Sequence, residues 1–279
     1  MNLKNLRTSF FKDLKEQYPR EELENIFKIL IEDKYHIAPI QIALDPELTL
    51  GKENLNEFNK DVEYLKKHMP VQHITGKTIF CGLPFKVGPE VLIPRPETEE
   101  LVYLIQKDLM NSKKRLKIID LCTGSGCIAI SLAKLLGDQV EVTALDTSIE
   151  ALETAKQNAT MNKVDIRFIK ENLLSMSKLD QAYDIVVSNP PYVRDLEKKE
   201  IDANVLDYEP HLALFVKDND PLIFYSKIGQ ITPKTSRIYF EINQYLGPQT
   251  KTCLEELGWD SVELIKDYKG NDRMIRTAF

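Results

Sequence analysis

Apolar residues recur every three or four positions through the first seventy residues of the chain. Leu23, Ile26, Phe27 and Leu30 form one such stripe; Leu55, Phe58, Val62, Leu65 and Met69 form another, which Pro70 ends. Pro19 followed by Arg20, Glu21 and Glu22 suits a helix first turn, with the acids near the positive end of the helix dipole. Charges of both signs are interleaved along these stripes. The pattern predicts a small helical domain over residues 1–75. Thr78-Ile79-Phe80 and Phe85-Lys86-Val87 then flank Gly82-Leu83-Pro84, which predicts a linking β-hairpin within 76–93. Pro84, Pro89, Pro94 and Pro96 keep this connection stiff and largely non-helical.

From about residue 97 strand and helix patterns alternate. Helices are predicted over 97–106, 128–136, 148–158 and 249–257. Strands are predicted over 117–121, 140–145, 165–169, 184–188, 237–242, 261–265 and 273–278, seven in all. That alternation implies an α/β domain over 94–279, a mostly parallel sheet with helices on both faces. The last two strands, joined through Lys269-Gly270-Asn271-Asp272, are expected as an antiparallel pair at one edge.

The composition agrees with a soluble globular protein of about two domains. The 279 residues are 43% hydrophobic and 29% charged, with a formal net charge of −6. That balance argues against a protein held on nucleic acid by bulk charge. Cys81, Cys122, Cys127 and Cys253 form no CxxC pair and suit a reducing compartment. His36, His68, His73 and His211 make no metal-ligand set, and Lys198-Lys199 reads as a solvated charge run. The N-terminus lacks an apolar signal core, and no run approaches the ~18 apolar residues of a membrane span, so a cytoplasmic protein is expected.

Three segments carry chemistry. Asp120-Leu121-Cys122-Thr123-Gly124-Ser125-Gly126 joins a strand end to a helix start, where glycines allow close ligand approach and free N–H groups face outward. A plain strand-to-helix turn is the competing reading. Asp146 ends the next strand, twenty residues after Gly126, where an acid typically holds the ribose hydroxyls of an adenosine cofactor. It could equally be a helix-start acid before Ser148. The turn is not GxGxxG and no Walker lysine follows, which disfavours nicotinamide cofactors and P-loop nucleotides. The third segment, Ser188-Asn189-Pro190-Pro191-Tyr192, ends the fourth strand. Its prolines fix the backbone and remove two donors. The Asn189 side-chain oxygen and the Pro190 carbonyl are then free to accept both hydrogens of one planar NH2 group, and Tyr192 offers a ring to stack on it. A rigid turn closing a strand is the alternative.

Together these segments resemble a class I, Rossmann-like methyltransferase that uses S-adenosyl-L-methionine and acts on a planar amino or amide nitrogen. Val91-Leu92-Ile93-Pro94-Arg95-Pro96-Glu97-Thr98-Glu99, with Gln72-His73-Ile74-Thr75-Gly76, Phe85-Lys86-Val87 and Asp272-Arg273, closely resembles the PrmC/HemK family. The resemblance covers about residues 70 to 279. It implies methylation of the glutamine amide in the Gly-Gly-Gln loop of class-one peptide chain release factors. It also implies that Cys122, Thr123, Gly124, Ser125 and Gly126 line the cofactor pocket and that Asp146 holds the ribose. Leu173 would lie by the adenine. Asn189 would face both cofactor and substrate, and Pro190, Pro191 and Tyr192 would complete the amide site. Two positions depart from the family pattern: Cys122, where many relatives have Gly, and Asn172-Leu173, where some have Asp and an aromatic. Arg95 and Glu97 read either as an ordering of the cofactor entrance or as a structural ion pair. Two other functions remain to be weighed. One is methylation of an exocyclic base amine in a nucleic acid, which needs a basic groove. The other is a non-catalytic module that binds an adenosine ligand. Neither a membrane nor a direct nucleic-acid partner is expected.

Overall fold

The structure, a computed structural model, describes residues 1–45 and 47–278. The chain folds into two compact units. One comprises residues 1–77 and 202–208; the other comprises 78–201 and 209 onward.

The first unit is helical: α1 (Leu3–Leu14), α2 (Arg20–Ile29), α3 (Pro39–Leu44), α4 (Lys52–Lys66) and α5 (Val71–Thr75). The Asn2 side chain caps α1 by accepting from the Asn5 N–H at 2.9 Å. Helix α2 begins after Pro19, as the sequence predicts, and runs into a wider turn at Leu30–Lys34. Helix α4 stops at Lys66, short of Pro70, because His68 turns to φ +60°. Leu6, Phe10 and Leu14 meet Leu23 and Phe27 of α2 and Phe58, Val62 and Leu65 of α4 in one buried cluster. The rings of Phe10, Phe27 and Phe58 lie 5.3 to 6.1 Å apart, tilted or edge-on. Buried Asp61 accepts from the Tyr35 hydroxyl at 2.6 Å and pairs with Lys34. Residues 202–208, which the pattern of alternation puts in the second domain, pack instead with this unit; the Tyr208 hydroxyl donates to the Lys67 carbonyl at 2.9 Å.

The second unit opens with the hairpin β1 (Lys77–Phe80) and β2 (Leu83–Lys86), followed by α6 (Pro96–Leu109). Then come β3 (Leu116–Leu121), α7 (Cys127–Leu136), β4 (Val140–Asp146), α8 (Ile149–Asn162), β5 (Arg167–Lys170) and β6 (Ile185–Ser188). After β6 lie β7 (Val193–Arg194), α9 (Ala203–Tyr208, in the first unit), α10 (His211–Leu214), β8 (Phe215–Val216) and α11 (Ile223–Ile231). The chain continues through β9 (Arg237–Glu241), α12 (Gly247–Glu256), β10 (Glu263–Lys266) and β11 (Asp272–Arg276). The main sheet has seven strands in the order β10-β11-β9-β6-β3-β4-β5. Strands β9, β6, β3, β4 and β5 are parallel to one another, while β11 runs antiparallel to both β9 and β10. The seven strands expected from the sequence are these, and the antiparallel edge is where it was expected.

Strand residues alternate between the two faces. Ile118, Val142, Val187 and Tyr239 pack with α6, α7 and the hairpin residues Phe80 and Phe85. Ile119, Leu145, Val186, Ile238 and Phe240 face α11, whose Tyr225 and Ile228 are wholly buried. The Asn158 side chain accepts from the Lys86 N–H at 2.6 Å and donates to the carbonyls of Lys86 and Ser125 at 3.0 and 2.9 Å. One buried amide thereby ties the hairpin, α8 and the turn after β3 together. Order in the sheet reverses between β3 and β6, and in open α/β sheets the crevice at such a reversal, beyond the carboxyl ends of the strands, is where ligands bind.

Candidate active site

A cavity of about 510 Å³ opens at that reversal, a size typical of small-molecule sites. Cys122, Thr123, Gly124 and Ser125 wall it on the β3 side, Asp146 comes from the end of β4, Leu173 follows β5, and Asn189 and Pro191 follow β6. Leu92, Pro94, Arg95 and Thr98, together with Pro210, Leu212, Ala213 and Phe224, complete the wall, so stretches far apart in the sequence meet there.

The turn after β3 is built by buried hydrogen bonds. Asp120 Oδ2 accepts from the Thr123 hydroxyl at 2.6 Å and from the Ala129 N–H at 3.2 Å. Its Oδ1 is buried without a hydrogen-bond partner among the described residues. Burial pushes the Asp120 carboxyl up to about 7, against the pull of these two donors. Gly124 stands at φ +55° with open space where a Cβ would be. Cys122 adopts φ +62°, a left-handed conformation that costs a non-glycine residue about 1–2 kcal/mol. The backbone there holds a conformation that glycine takes without strain. Burial and the neighbouring carboxylates of Asp146 and Asp120 push the Cys122 thiol far up, so it stays neutral.

Asp146 holds the loop from across the crevice. Its Oδ2 accepts from the Gly124 N–H at 2.9 Å and its Oδ1 from the Ser148 N–H at 3.0 Å. Each oxygen keeps a lone pair for a further donor, the requirement for holding two hydroxyls. The helix-start cap of α8 is not Asp146 but Ser148, whose hydroxyl accepts from the Ala151 N–H at 3.0 Å.

Register places the last segment. Ser188 lies opposite Phe240, so Asn189 leaves the sheet beside Glu241, the last residue of β9, which still pairs with Met274 of β11. Glu241 is 1% exposed. Its Oε2 accepts from the Thr98 hydroxyl at 2.6 Å and its Oε1 from the Tyr192 hydroxyl at 3.0 Å. Asn189 Nδ2 in turn donates to Thr98 Oγ1 at 3.2 Å. Burial raises the Glu241 pKa, while the two hydroxyls and the charge of Arg273 draw it back.

Three of the residues named from sequence stand off the cavity wall. Gly126, at φ +80°, starts α7, and a Cβ there would lie 2.9 Å from Ile130 Cδ1 and 3.1 Å from Ala155 Cβ. It is not on the cavity wall, and the space a side chain would need is taken by helix packing. Pro190 is buried and does not line the cavity. Tyr192 directs its hydroxyl to Glu241, a partner that the aromatic-face reading does not foresee. Arg95 and Glu97 do not pair with each other. Arg95 pairs with buried Glu209, whose other oxygen accepts from the Ile93 N–H at 3.0 Å, and Glu97 pairs with Lys269 at 2.7 Å. Glu241, Thr98 and Glu209 carry the support of this site, and sequence spacing alone does not find them, since Thr98 and Glu241 are 143 positions apart. Among the described residues no group of His, Cys, Asp and Glu is placed to hold a metal ion, and no helix is long and apolar enough to cross a membrane.

Comparisons with known proteins bear on the family and the fold. Residues 98–208 match the methyltransferase small domain, and residues 5–76 match the PrmC N-terminal domain. A release factor glutamine methyltransferase of Flavobacterium psychrophilum is 49% identical over 285 aligned positions, covering 100% of both chains. One of Bacteroides thetaiotaomicron is 40% identical, covering 94% of this chain and 95% of its own. Among solved structures, a methyltransferase from Pyrococcus furiosus superposes with a TM-score of 0.52 at 18% identity, covering 78% of this chain and 97% of that one; it is a likeness of fold.

Proposed function

This chain belongs to the release factor glutamine methyltransferase family, and we propose that it transfers the methyl group of S-adenosyl-L-methionine to the side-chain amide nitrogen of the glutamine in the Gly-Gly-Gln loop of class-one peptide chain release factors. The observation that carries this reading is Asn189, on the wall of the same cavity as the Gly124 turn and Asp146, with its amide nitrogen already engaged by Thr98.

The residues present suit that cofactor. Glu90, Asp146, Glu150 and Glu171 line the cavity against the guanidinium of Arg95, a balance that favours a ligand carrying positive charge. Asp146 would take the ribose hydroxyls on its remaining lone pairs. Cys122, Thr123, Gly124 and Ser125 would hold the methionine end, and Leu173 would pack against the adenine. When bound, the cofactor supplies a methyl group activated on a sulfonium.

A glutamine amide nitrogen is a weak nucleophile because its lone pair is delocalised into the carbonyl. Asn189 Oδ1 would accept one of its hydrogens at the cavity wall, and the backbone carbonyl of Pro190, a residue that is itself buried off that wall, would accept the other. Acceptors fixed in that way stabilise the positive charge that grows on nitrogen as the new bond forms, without reorganising during the reaction. Holding the nitrogen at one end of the cavity supplies the orientation term. The extra proton leaves to solvent after transfer.

The test is methyl transfer by the purified enzyme to purified release factor, with tRNA, rRNA and DNA offered separately. The expected product is one methyl group on the loop glutamine, located by peptide mass spectrometry. Transfer to a nucleic acid with none to the release factor would refute the proposal. The names of the curated relatives favour the release factor, and no observation favours the base-amine alternative.

A further inference from the structure

Resting on that reaction, we infer that Thr98 and Glu241 are positioning residues, which set the Asn189 amide with its oxygen toward the substrate. An asparagine amide has two ends of similar shape and opposite hydrogen-bonding character. A half-turn about its last bond exchanges them, and nothing in the side chain itself chooses. The choice matters here because the substrate group is an NH2. It needs an acceptor, and an inverted Asn189 would set one donor against another.

The choice is made one bond at a time. The carboxylate of Glu241 is buried at the end of β9, and it receives two hydroxyl donors, Tyr192 on Oε1 and Thr98 on Oε2. A threonine hydroxyl has a single hydrogen. Its 2.6 Å contact to Glu241 Oε2 commits that hydrogen to the carboxylate. Only lone pairs of Thr98 Oγ1 then face Asn189, 3.2 Å away, and only the NH2 end of the amide satisfies them. The oxygen end is left for the cavity that Asn189 lines, and no described residue donates to it. Thr98 is 2% exposed, so water does not compete for its hydroxyl. The direction of the chain, from Thr98 to Glu241 and from Asn189 to Thr98, follows from the carboxylate being unable to donate when ionised.

The experiment uses full-length enzyme and whole release factor, with kcat, KM and the affinity for S-adenosyl-L-homocysteine measured separately. Thr98→Val keeps the shape and removes the hydroxyl. The expected loss in kcat is at least tenfold, approaching the roughly 10²–10³ typical of removing a stabilising hydrogen-bonding group outright. KM and homocysteine-product affinity are expected within about threefold of wild type, since the contacts that bind are left in place. Thr98→Ser restores the hydroxyl and should recover most of the turnover. Glu241→Gln, which removes the charge that commits the Thr98 hydrogen, should lower kcat in the same way, and it serves if Thr98→Val does not fold. A kcat within twofold of wild type in either folded variant overturns the inference. So does a Thr98→Ser enzyme as impaired as Thr98→Val, or a kcat loss matched by an equal loss of cofactor-product affinity. Wild-type enzyme that leaves the release factor unmethylated overturns the reaction itself, an outcome distinct from all of these.

Discussion

At the scale of single residues, the site separates groups on the cavity wall from the buried groups that hold them. Asn189→Ala deletes the acceptor and should lower turnover by about 10²–10³ while sparing cofactor binding; single-turnover rates beside calorimetric titration check both halves. Asp146→Ala removes the charged acceptor for two hydroxyls and also releases the Gly124 and Ser148 N–H groups. Charged hydrogen bonds contribute about 1.5–3 kcal/mol each, so affinity for S-adenosyl-L-homocysteine should fall at least about tenfold by calorimetry. Tyr192 reads from sequence as a ring, for which Phe would be a fair substitute. The bond from its hydroxyl to buried Glu241 changes that expectation. Tyr192→Phe should lose stability by about 1–3 kcal/mol, because a buried carboxylate oxygen is left without its donor, and urea denaturation would measure it. Asp120 gives a prediction in pH. Its folded pKa of about 7 lies above the ordinary carboxylate value, so between about pH 4 and 7 the folded chain keeps a proton that the unfolded chain has lost. Stability from this group is therefore present at low pH and lost as pH rises through 7. Asp120→Asn has no such dependence. Without cofactor, its melting temperature relative to wild type should climb from pH 4.5 to pH 8; a flat difference would contradict the assignment.

At the scale of elements, strand ends and helix starts decide what the crevice contains. Gly124 and Gly126 are two residues apart and have different duties, which spacing does not reveal. A methyl at 124 meets only open space at the cavity wall, whereas one at 126 meets Ile130 and Ala155. Gly126→Ala should therefore lower stability by more than the ~1–2 kcal/mol of its left-handed backbone alone, and Gly124→Ala should mainly weaken cofactor binding. Thermal melting with and without S-adenosyl-L-homocysteine separates the two. Helix α11 is absent from the sequence-based expectation. Ile223, Phe224 and Tyr225 are β-branched or aromatic and read as well in a strand. The sheet decides it, since parallel β6 and β9 need a crossover connection that packs back on one face. The two-residue pair β7 and β8 is too short to carry any period.

At the scale of the whole molecule, the chain leaves the methyltransferase unit at residue 201 and returns to it at 209. We propose that the helical unit recognises the body of the release factor, because a single loop glutamine offers too few contacts to choose one protein among many. Remote binding energy of that kind places a reacting group. Simple deletion of the first seventy residues would strip 202–208 of its packing partners. The informative variant removes residues 1–77 and replaces 202–208 by a flexible linker. Its cofactor affinity should survive, and its rate on whole release factor should collapse to the rate on a Gly-Gly-Gln peptide. A variant that still prefers the whole factor would place recognition in the other unit.

Periodicity and local chemistry by themselves determined the seven strands, the antiparallel edge, and the pieces that meet at the crevice: the Gly124 turn, Asp146 and Asn189. These are legible because each is written within a few consecutive residues, where backbone freedom, burial and spacing act locally. Only the tertiary structure decided which of those residues line the crevice and what holds them. Glu241 lies on the strand beside the one that ends at Asn189 because β9 pairs with β6 in a particular register, and Thr98, in the first turn of α6, bonds to both. Such contacts join positions far apart in the chain, and their energies depend on burial that no single segment possesses until the sheet has formed.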